Sequence, residues 1–254
     1  MAKIVSIHSF RGGTGKSNFT ANLATSTALQ GKRVGIVDTD IQSPGIHVLF
    51  GLDETRVERA LNDYLWGQCA IEETAYDVTP PEVLAKGGNI QLIPSSIKAG
   101  EITRVLREGY DVGLLNDGFH ELSEKLNLDY LFIDTHPGLN EETLLCVAIS
   151  DTLILLLRPD KQDLQGTAVT VDVARKLGVP QMLLLVNKAL PSLDFELLRQ
   201  QVEATFNAKV VGIFPETEAM LELGSAGVFC LHYPNHPMTQ EVFRVAKQIM
   251  DGTP

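Results

Sequence analysis

Short apolar segments alternate with longer segments of helical periodicity along most of the chain. Short, mainly apolar runs bounded by glycine, proline or polar clusters are typical of buried strands. The predicted strands are Ile4–Ser9, Val34–Val37, Ile90–Pro94, Tyr130–Ile133, Thr152–Leu157, Gln181–Val186 and, with the turn after it, Val210–Glu216. The predicted helices are Asn18–Gln30, Val57–Trp66, Asp111–Leu128, Leu164–Leu177 and Met238–Met250. This alternation predicts an α/β fold with a doubly wound, mostly parallel sheet flanked by helices.

Bulk composition is that of an ordinary globular protein. Apolar residues make up 44% of the chain and charged residues 21%, which supplies a sizeable core and argues against disorder. The length of 254 residues fits one α/β domain, and we expect a single domain spanning residues 1–254.

A glycine-rich segment, His8–Asn18, lies between the first predicted strand and the first predicted helix. Glycine allows backbone conformations closed to other residues, so several N–H groups of such a loop can surround one phosphate. In this pattern the lysine reaches the β and γ oxygens, the serine can ligate Mg²⁺, and the helix start adds positive potential. The residues predicted to bind the nucleotide here are Gly12, Gly13, Thr14, Gly15, Lys16, Ser17 and Asn18. The segment therefore predicts a P-loop NTPase.

One position departs from the common G-x-x-x-x-G-K-S/T pattern, because Phe10 stands where the first glycine is usual and Arg11 precedes the glycine pair. In this the loop resembles the deviant Walker A box of the MinD/ParA family of ATPases. In that family the position of Arg11 is normally the signature lysine, which reaches across a dimer interface to the partner's phosphates. The resemblance implies a catalytic role for Lys16 and for Arg11, whose planar fork is not interchangeable with an ammonium on a flexible stem.

Carboxylates follow two of the predicted strands, at the sheet edge where ligands bind in open parallel sheets. Asp38 and Asp40 follow the second strand, and Asp134 ends the apolar strand that starts at Tyr130, as in a Walker B arrangement. The resemblance implies that Asp40 orients the attacking water, and that Ser17, Asp38 and Asp134 form the Mg²⁺ site. His136 lies beside this site, but we expect it to make a local hydrogen bond or face solvent rather than accept a proton.

The resemblance runs from Ala2 to about Ile249, with the P-loop, Asp134 and the two switch segments as its specific parts. It implies that Asn187 contacts the adenine, since an amide can donate and accept at once, and that Pro215 borders the base. The loop after Leu157 faces the partner subunit in the family. We therefore hypothesise that Arg158 or Lys161 reaches the other protomer's nucleotide and supplements Arg11.

Charge and cysteine content bear on compartment and partners. The net charge of −11 does not indicate DNA binding, although a local basic patch could still support it. Three widely spaced cysteines without a C-x-x-C pair, and no signal peptide, predict a cytoplasmic protein. The last predicted helix carries charges of both signs and no basic tail follows it, so we expect it to pack in the core and not on a membrane.

Taken together, these features predict an ATP- and Mg²⁺-dependent ATPase of the MinD/ParA type. Its ATP-bound form would be a homodimer, and slow hydrolysis would reset it while it positions or partitions a cargo. The cargo and any activating protein are not identified by the sequence. Two alternatives stay open: a nucleotide-dependent regulator or scaffold with little hydrolysis, and a P-loop metabolic ligase that phosphorylates a small carboxylate.

Overall fold

The computed structural model describes residues 1–53 and 55–252. Its eight strands are β1 (Lys3–His8), β2 (Arg33–Asp38), β3 (Tyr76–Asp77), β4 (Asn89–Ile93), β5 (Tyr130–Asp134), β6 (Thr152–Leu157), β7 (Gln181–Ala189) and β8 (Lys209–Pro215). They form one sheet in the order β3-β4-β2-β5-β1-β6-β7-β8. All neighbouring strands are parallel except β3 and β4, which are antiparallel. The predicted mostly parallel, doubly wound sheet is confirmed.

Helices connect and cover these strands. They are α1 (Lys16–Ala28), α2 (Ile46–Leu49), α3 (Leu61–Leu65), α4 (Pro81–Leu84), α5 (Ala99–Glu108), α6 (Gly113–Lys125), α7 (Glu141–Ala148), α8 (Lys161–Lys176), α9 (Phe195–Phe206), α10 (Glu218–Leu223), α11 (Phe229–His232) and α12 (Pro237–Asp251). A 3₁₀ turn spans Ile71–Thr74. None of the helices in the described ranges combines the length and apolar composition that a membrane crossing requires.

Alternate residues of each central strand point to opposite sides of the sheet. Side chains are buried on both sides, as is typical of a parallel sheet covered by helices. On one face Phe132 joins a core formed with α1 and α12, and on the other Leu131 packs with α6. A third cluster covers β6 and β7 with α8 and α9. The predicted core role of the last helix is confirmed, since α12 buries Val242, Val245 and Ile249 in the first of these clusters.

Several predicted bounds are wrong in detail. The helix expected over Val57–Trp66 is limited to α3, because the Asp63 carboxylate accepts the backbone N–H of Ala60 and starts the helix at Leu61. The helix expected from Leu164 begins three residues earlier, at Lys161. Helices α5 and α9 were not predicted at all. The predicted single domain over residues 1–254 includes residues 253 and 254, which lie outside the described ranges. The single domain stays a prediction.

Candidate functional site

The glycine loop connects the end of β1 to the first residue of α1, in the middle of the sheet. Gly13 and Gly15 have φ of +75° and +98°, in the left-handed region that glycine adopts without strain. A Cβ on Gly15 would also lie only 2.7 Å from Nδ2 of Asn187. No side chain caps the start of α1, so its first N–H groups are available to an anion.

Lys16 is the buried cation of the site. Its Nζ donates to Oδ1 of Asp134 at 2.7 Å, and the two side chains are only 7% and 1% exposed. Thr20, one turn further along α1, places its hydroxyl 3.1 Å from the same oxygen and 3.0 Å from the carbonyl oxygen of Lys16, and its one hydrogen can serve either acceptor. Lys16 therefore contacts the carboxylate that is predicted to hold Mg²⁺. Thr20 was not predicted, although its spacing of four residues from Lys16 places it on the same helix face.

Asp38 and Asp134 are directly opposite each other at the carboxyl ends of β2 and β5. Asp38 accepts the backbone N–H groups of Asp40 and Gly45, at 3.0 and 3.1 Å. Burial, together with repulsion from Asp134, raises the pKa of Asp38 to about 7. Two buried carboxylates beside one lysine carry more negative than positive charge when both are ionised, so a further cation would be attracted to them. The site predicted for Mg²⁺ is thus chemically suited to it.

Mg²⁺ usually takes one or two carboxylates and completes its shell with phosphate and water. The described residues contain no group of three or more acidic, histidine or cysteine side chains arranged to hold a metal. Ser17 lies in the first turn of α1 and lines the same polar recess as Lys16 and Asp40. Nothing in this donor set conflicts with the predicted ligands Ser17, Asp38 and Asp134.

Asp40 and His136 face each other across this recess. The Nε2 atom of His136 lies 3.7 Å from Oδ1 of Asp40, too far for a hydrogen bond. Nδ1 of His136 donates to the carbonyl oxygen of Pro137 at 2.6 Å, which confirms the predicted local hydrogen bond. Burial raises the pKa of Asp40, while Lys16 and His136 act to lower it. The proximity of His136 to Asp40 was not predicted.

A second, more apolar recess adjoins the glycine loop and has a volume of about 370 Å³. Asn187 and Pro215 both line it, as predicted for contacts to the base, and Phe19 and Met238 contribute apolar surface. Nδ2 of Asn187 donates to the carbonyl oxygen of Thr14 at 2.7 Å, which uses one of its two N–H groups. Size and lining are those of a small-molecule site.

The two recesses share Gly13, Gly15 and Asn18, so they form one cleft along the glycine loop. Its polar end contains Lys16 and the loop N–H groups, and its other end is apolar. Lys188, which was not predicted, closes the loop from the side: its Nζ donates to the carbonyl oxygen of Gly13 at 3.0 Å. A cleft with one polar and one apolar end matches a nucleotide.

Comparisons with known proteins identify the family. A family model described as "AAA domain" matches residues 2–179. An uncharacterized ATP-binding protein of Methanocaldococcus jannaschii is 27% identical over 251 residues, covering 98% of this chain and 88% of the relative. The sporulation initiation inhibitor protein Soj of Bacillus subtilis is 25% identical, with 98% of each chain covered. The chain belongs to the MinD/ParA family of P-loop ATPases.

Solved structures of MinD have the same fold as this MinD/ParA chain. The cell division ATPase MinD of Pyrococcus furiosus superposes with a TM-score of 0.84 at 22% identity, over 100% of both chains. The septum site-determining protein MinD of Pyrococcus horikoshii, in complex with Mg-ADP, has a TM-score of 0.80 at 22% identity, over 98% of this chain and 96% of that chain. At these identities the likeness concerns the fold alone.

Arg11, at the signature-lysine position of the MinD/ParA family, forms ion pairs with carboxylates of its own chain. Its NH1 atom lies 3.2 Å from Oδ1 of Asp163 and 3.7 Å from Asp160, both at the start of α8. Arg158 contacts the same two carboxylates. Two cations predicted to reach a partner's nucleotide are thus paired within their own chain. Lys161, the third, is exposed at the first position of α8.

Proposed function

We propose that this protein is an ATP-dependent dimerising switch of the MinD/ParA type, which hydrolyses ATP slowly to position or partition a cellular cargo. The observation that carries the proposal is the cleft at the carboxyl edge of the sheet. There Lys16, at the end of the glycine loop, donates to Asp134 at 2.7 Å, and Asp38 lies opposite Asp134 on the neighbouring strand. The family of the chain supports ATP as the nucleotide.

In the proposed complex, the N–H groups of residues 12–18 and the Lys16 ammonium bind the phosphates, while Asn187 and Pro215 contact the base. Ser17, Asp38 and Asp134 would hold Mg²⁺, which supplies neutralisation of charge on the phosphates when bound. A relative, MinD of Pyrococcus horikoshii, is described in complex with Mg-ADP.

Asp40 has the proposed role of orienting the attacking water. It is buried, it lines the phosphate end of the cleft, and the backbone N–H of Ser43 holds one of its oxygens at 3.2 Å. A carboxylate held in this way can accept a hydrogen bond from water at a fixed position. The pKa of Asp40 is raised by its burial, which makes it a better proton acceptor than an exposed aspartate.

The dimer is proposed to form through the carboxyl edge, with Arg11 contributing to the phosphate site in its own subunit or its partner's. The structures of relatives include a complex of MinD with MinC from Aquifex aeolicus, which supports a protein partner for this chain as well. The cysteines Cys69, Cys146 and Cys230 are all free, in keeping with the proposed cytoplasmic location.

The Asp40→Ala variant tests this function. With ATP and Mg²⁺, wild type should form a dimer in light scattering and return to monomer as phosphate is released. The variant should stay dimeric. It should release phosphate at about one tenth of the wild-type rate or below, because water is no longer oriented. Asp172→Ala, which removes an exposed carboxylate of α8, is the matched control and should behave as wild type.

Two results would contradict the proposal. An Asp40→Ala protein that remains monomeric with ATP would exclude the dimerising mechanism. Wild type that dimerises with ATP but shows no multiple-turnover release of phosphate would favour the regulator or scaffold instead.

A further inference from the structure

The carboxylate of Asp163, in the first turn of α8, is shared by two arginines. Its side chain is 2% exposed, whereas those of Arg158 and Arg11 are 26% and 39% exposed. Oδ2 accepts the Nε–H and the backbone N–H of Arg158, at 3.0 and 3.1 Å. Oδ1 accepts NH1 of Arg11 at 3.2 Å and NH2 of Arg158 at 3.5 Å. Arg158 alone can therefore occupy both oxygens.

Gly166, one turn after Asp163 in α8, packs against Phe10 of the glycine loop. A Cβ on Gly166 would lie 2.1 Å from Cδ1 of Phe10, so the Phe10 ring rests directly on the backbone of α8. Asp163 and Gly166 are three residues apart and thus lie on one face of the helix. Phe10 and Arg11 together attach the glycine loop to this face. The position of Arg11 is therefore built into the fold and is not a chance surface contact.

A buried carboxylate that loses its last cationic partner destabilises a protein strongly, because the charge stays without compensation. If Asp163 were paired with Arg11 alone, moving Arg11 to a phosphate would carry that cost. With Arg158 in place, the carboxylate keeps a bidentate partner when Arg11 leaves. The second arginine thus makes the Arg11 contact exchangeable.

We propose that Asp163 is the positioning residue of Arg11, and that Arg158 is the counter-ion that allows Arg11 to be released to phosphate. Asp163 holds the Arg11 guanidinium at the start of α8. On ATP binding Arg11 exchanges this carboxylate for phosphate oxygens, and Arg158 neither touches nor approaches the nucleotide. The release step rests on the proposed ATP-dependent dimer, whereas the sharing of Asp163 does not.

Thermal unfolding without nucleotide tests the sharing. Arg11→Gln and Arg158→Gln should each lower the Tm by about 3 °C or less, because the other arginine still pairs with Asp163. The double variant should lose roughly 6 °C or more beyond the sum of the single losses. Adding Asp163→Asn should remove this excess, and should restore folding if the double variant does not fold. Additive losses, or no rescue by Asp163→Asn, would overturn the sharing.

Dimerisation with ATP, measured by sedimentation over a range of protein concentrations, tests the release. Arg158→Gln should weaken the dimer about tenfold, since Arg11 would then leave the Asp163 carboxylate without a cationic partner. Asp163→Asn in the same chain should restore dimerisation. Unchanged dimerisation of Arg158→Gln would overturn the release step, and so would failure of the rescue, which would place Arg158 at the nucleotide. Wild type that stays monomeric with ATP would contradict the proposed function and the release step, and the unfolding series would still decide the sharing.

Discussion

Replacing Lys16 with methionine should destabilise the nucleotide-free protein as well as abolish ATP binding. Methionine keeps most of the side-chain volume and removes the charge. The Nζ of Lys16 is 2.7 Å from Oδ1 of Asp134, and both side chains are almost fully buried. Asp134 would then lie beside Asp38 without an ion pair among the described residues, and the Thr20 hydroxyl would still lie 3.1 Å from its Oδ1.

The size of the effect follows from the geometry. At 2.7 Å the attraction of one pair of charges is ~6 kcal/mol for an effective dielectric constant of ~20. Desolvation of the two groups offsets part of this, and breaking a buried pair from one side costs about 3–5 kcal/mol. Asp38, whose pKa is about 7, takes up a proton as the pH falls and relieves its repulsion of Asp134. The loss should therefore be smaller near pH 6 than near pH 8.

Urea unfolding of wild type, Lys16→Met and the double variant Lys16→Met/Asp134→Asn measures this directly. The double variant should recover most of the lost stability, because it contains no unpaired buried charge at Asp134. Lys86→Met, in which an exposed lysine is replaced, should change the stability by about 0.5 kcal/mol or less. The reasoning is refuted if Lys16→Met loses about 1 kcal/mol or less, or if Asp134→Asn does not rescue it.

Two further predictions concern β1, which precedes the glycine loop, and α8, which packs against Phe10 of that loop. Burial lowers the pKa of His8 to about 3 from 6.5, so the folded chain binds fewer protons than the unfolded chain and loses stability as the pH falls below about 6.5. Between about pH 7 and pH 5, urea unfolding of His8→Gln should therefore show about 2 kcal/mol less loss than wild type, and equal losses would contradict this. Gly166→Ala should cost about 1–3 kcal/mol and weaken ATP binding in calorimetry, because its Cβ would lie 2.1 Å from Phe10. Gly100→Ala, whose Cβ meets nothing within 4 Å, is its control and should gain up to about 1 kcal/mol, so a similar gain in Gly166→Ala would contradict the contact.

Buried strands could be predicted well from the sequence, whereas helices with an exposed face were predicted in some cases, such as α12, and missed in others, such as α5 and α9. Strand β6 has the predicted bounds, Thr152–Leu157, because a strand covered on both faces is a continuous apolar run. Helix α5 is only ten residues long, contains four charged residues and lies on the surface, so it offers few apolar positions from which a helix could be predicted. Helix α3 is shorter than its apolar pattern because the Asp63 cap decides where it begins.

In the candidate site, the contiguous motif could be predicted from the sequence, whereas contacts between residues far apart in the sequence could not. The glycine loop could be predicted because its chemistry lies in one contiguous segment. The partners of its two cations could not, because Asp134 is 118 residues from Lys16 and Asp163 is 152 residues from Arg11. A sequence motif indicates which residues carry charge, but the counter-ion of each in the absence of ligand depends on tertiary contacts.

These counter-ions change how the nucleotide site is understood. Each cation of the loop is held by a carboxylate of its own chain, Lys16 by Asp134 and Arg11 by Asp163. Phosphate binding is therefore an exchange of partners and not a simple gain of contacts. Arg11 can exchange because Arg158 keeps Asp163 paired, but no second side-chain cation pairs with Asp134 among the described residues. Lys16 can turn to phosphate at low cost only if Asp134 acquires another positive charge, so occupancy of the phosphate and cation sites should be thermodynamically linked.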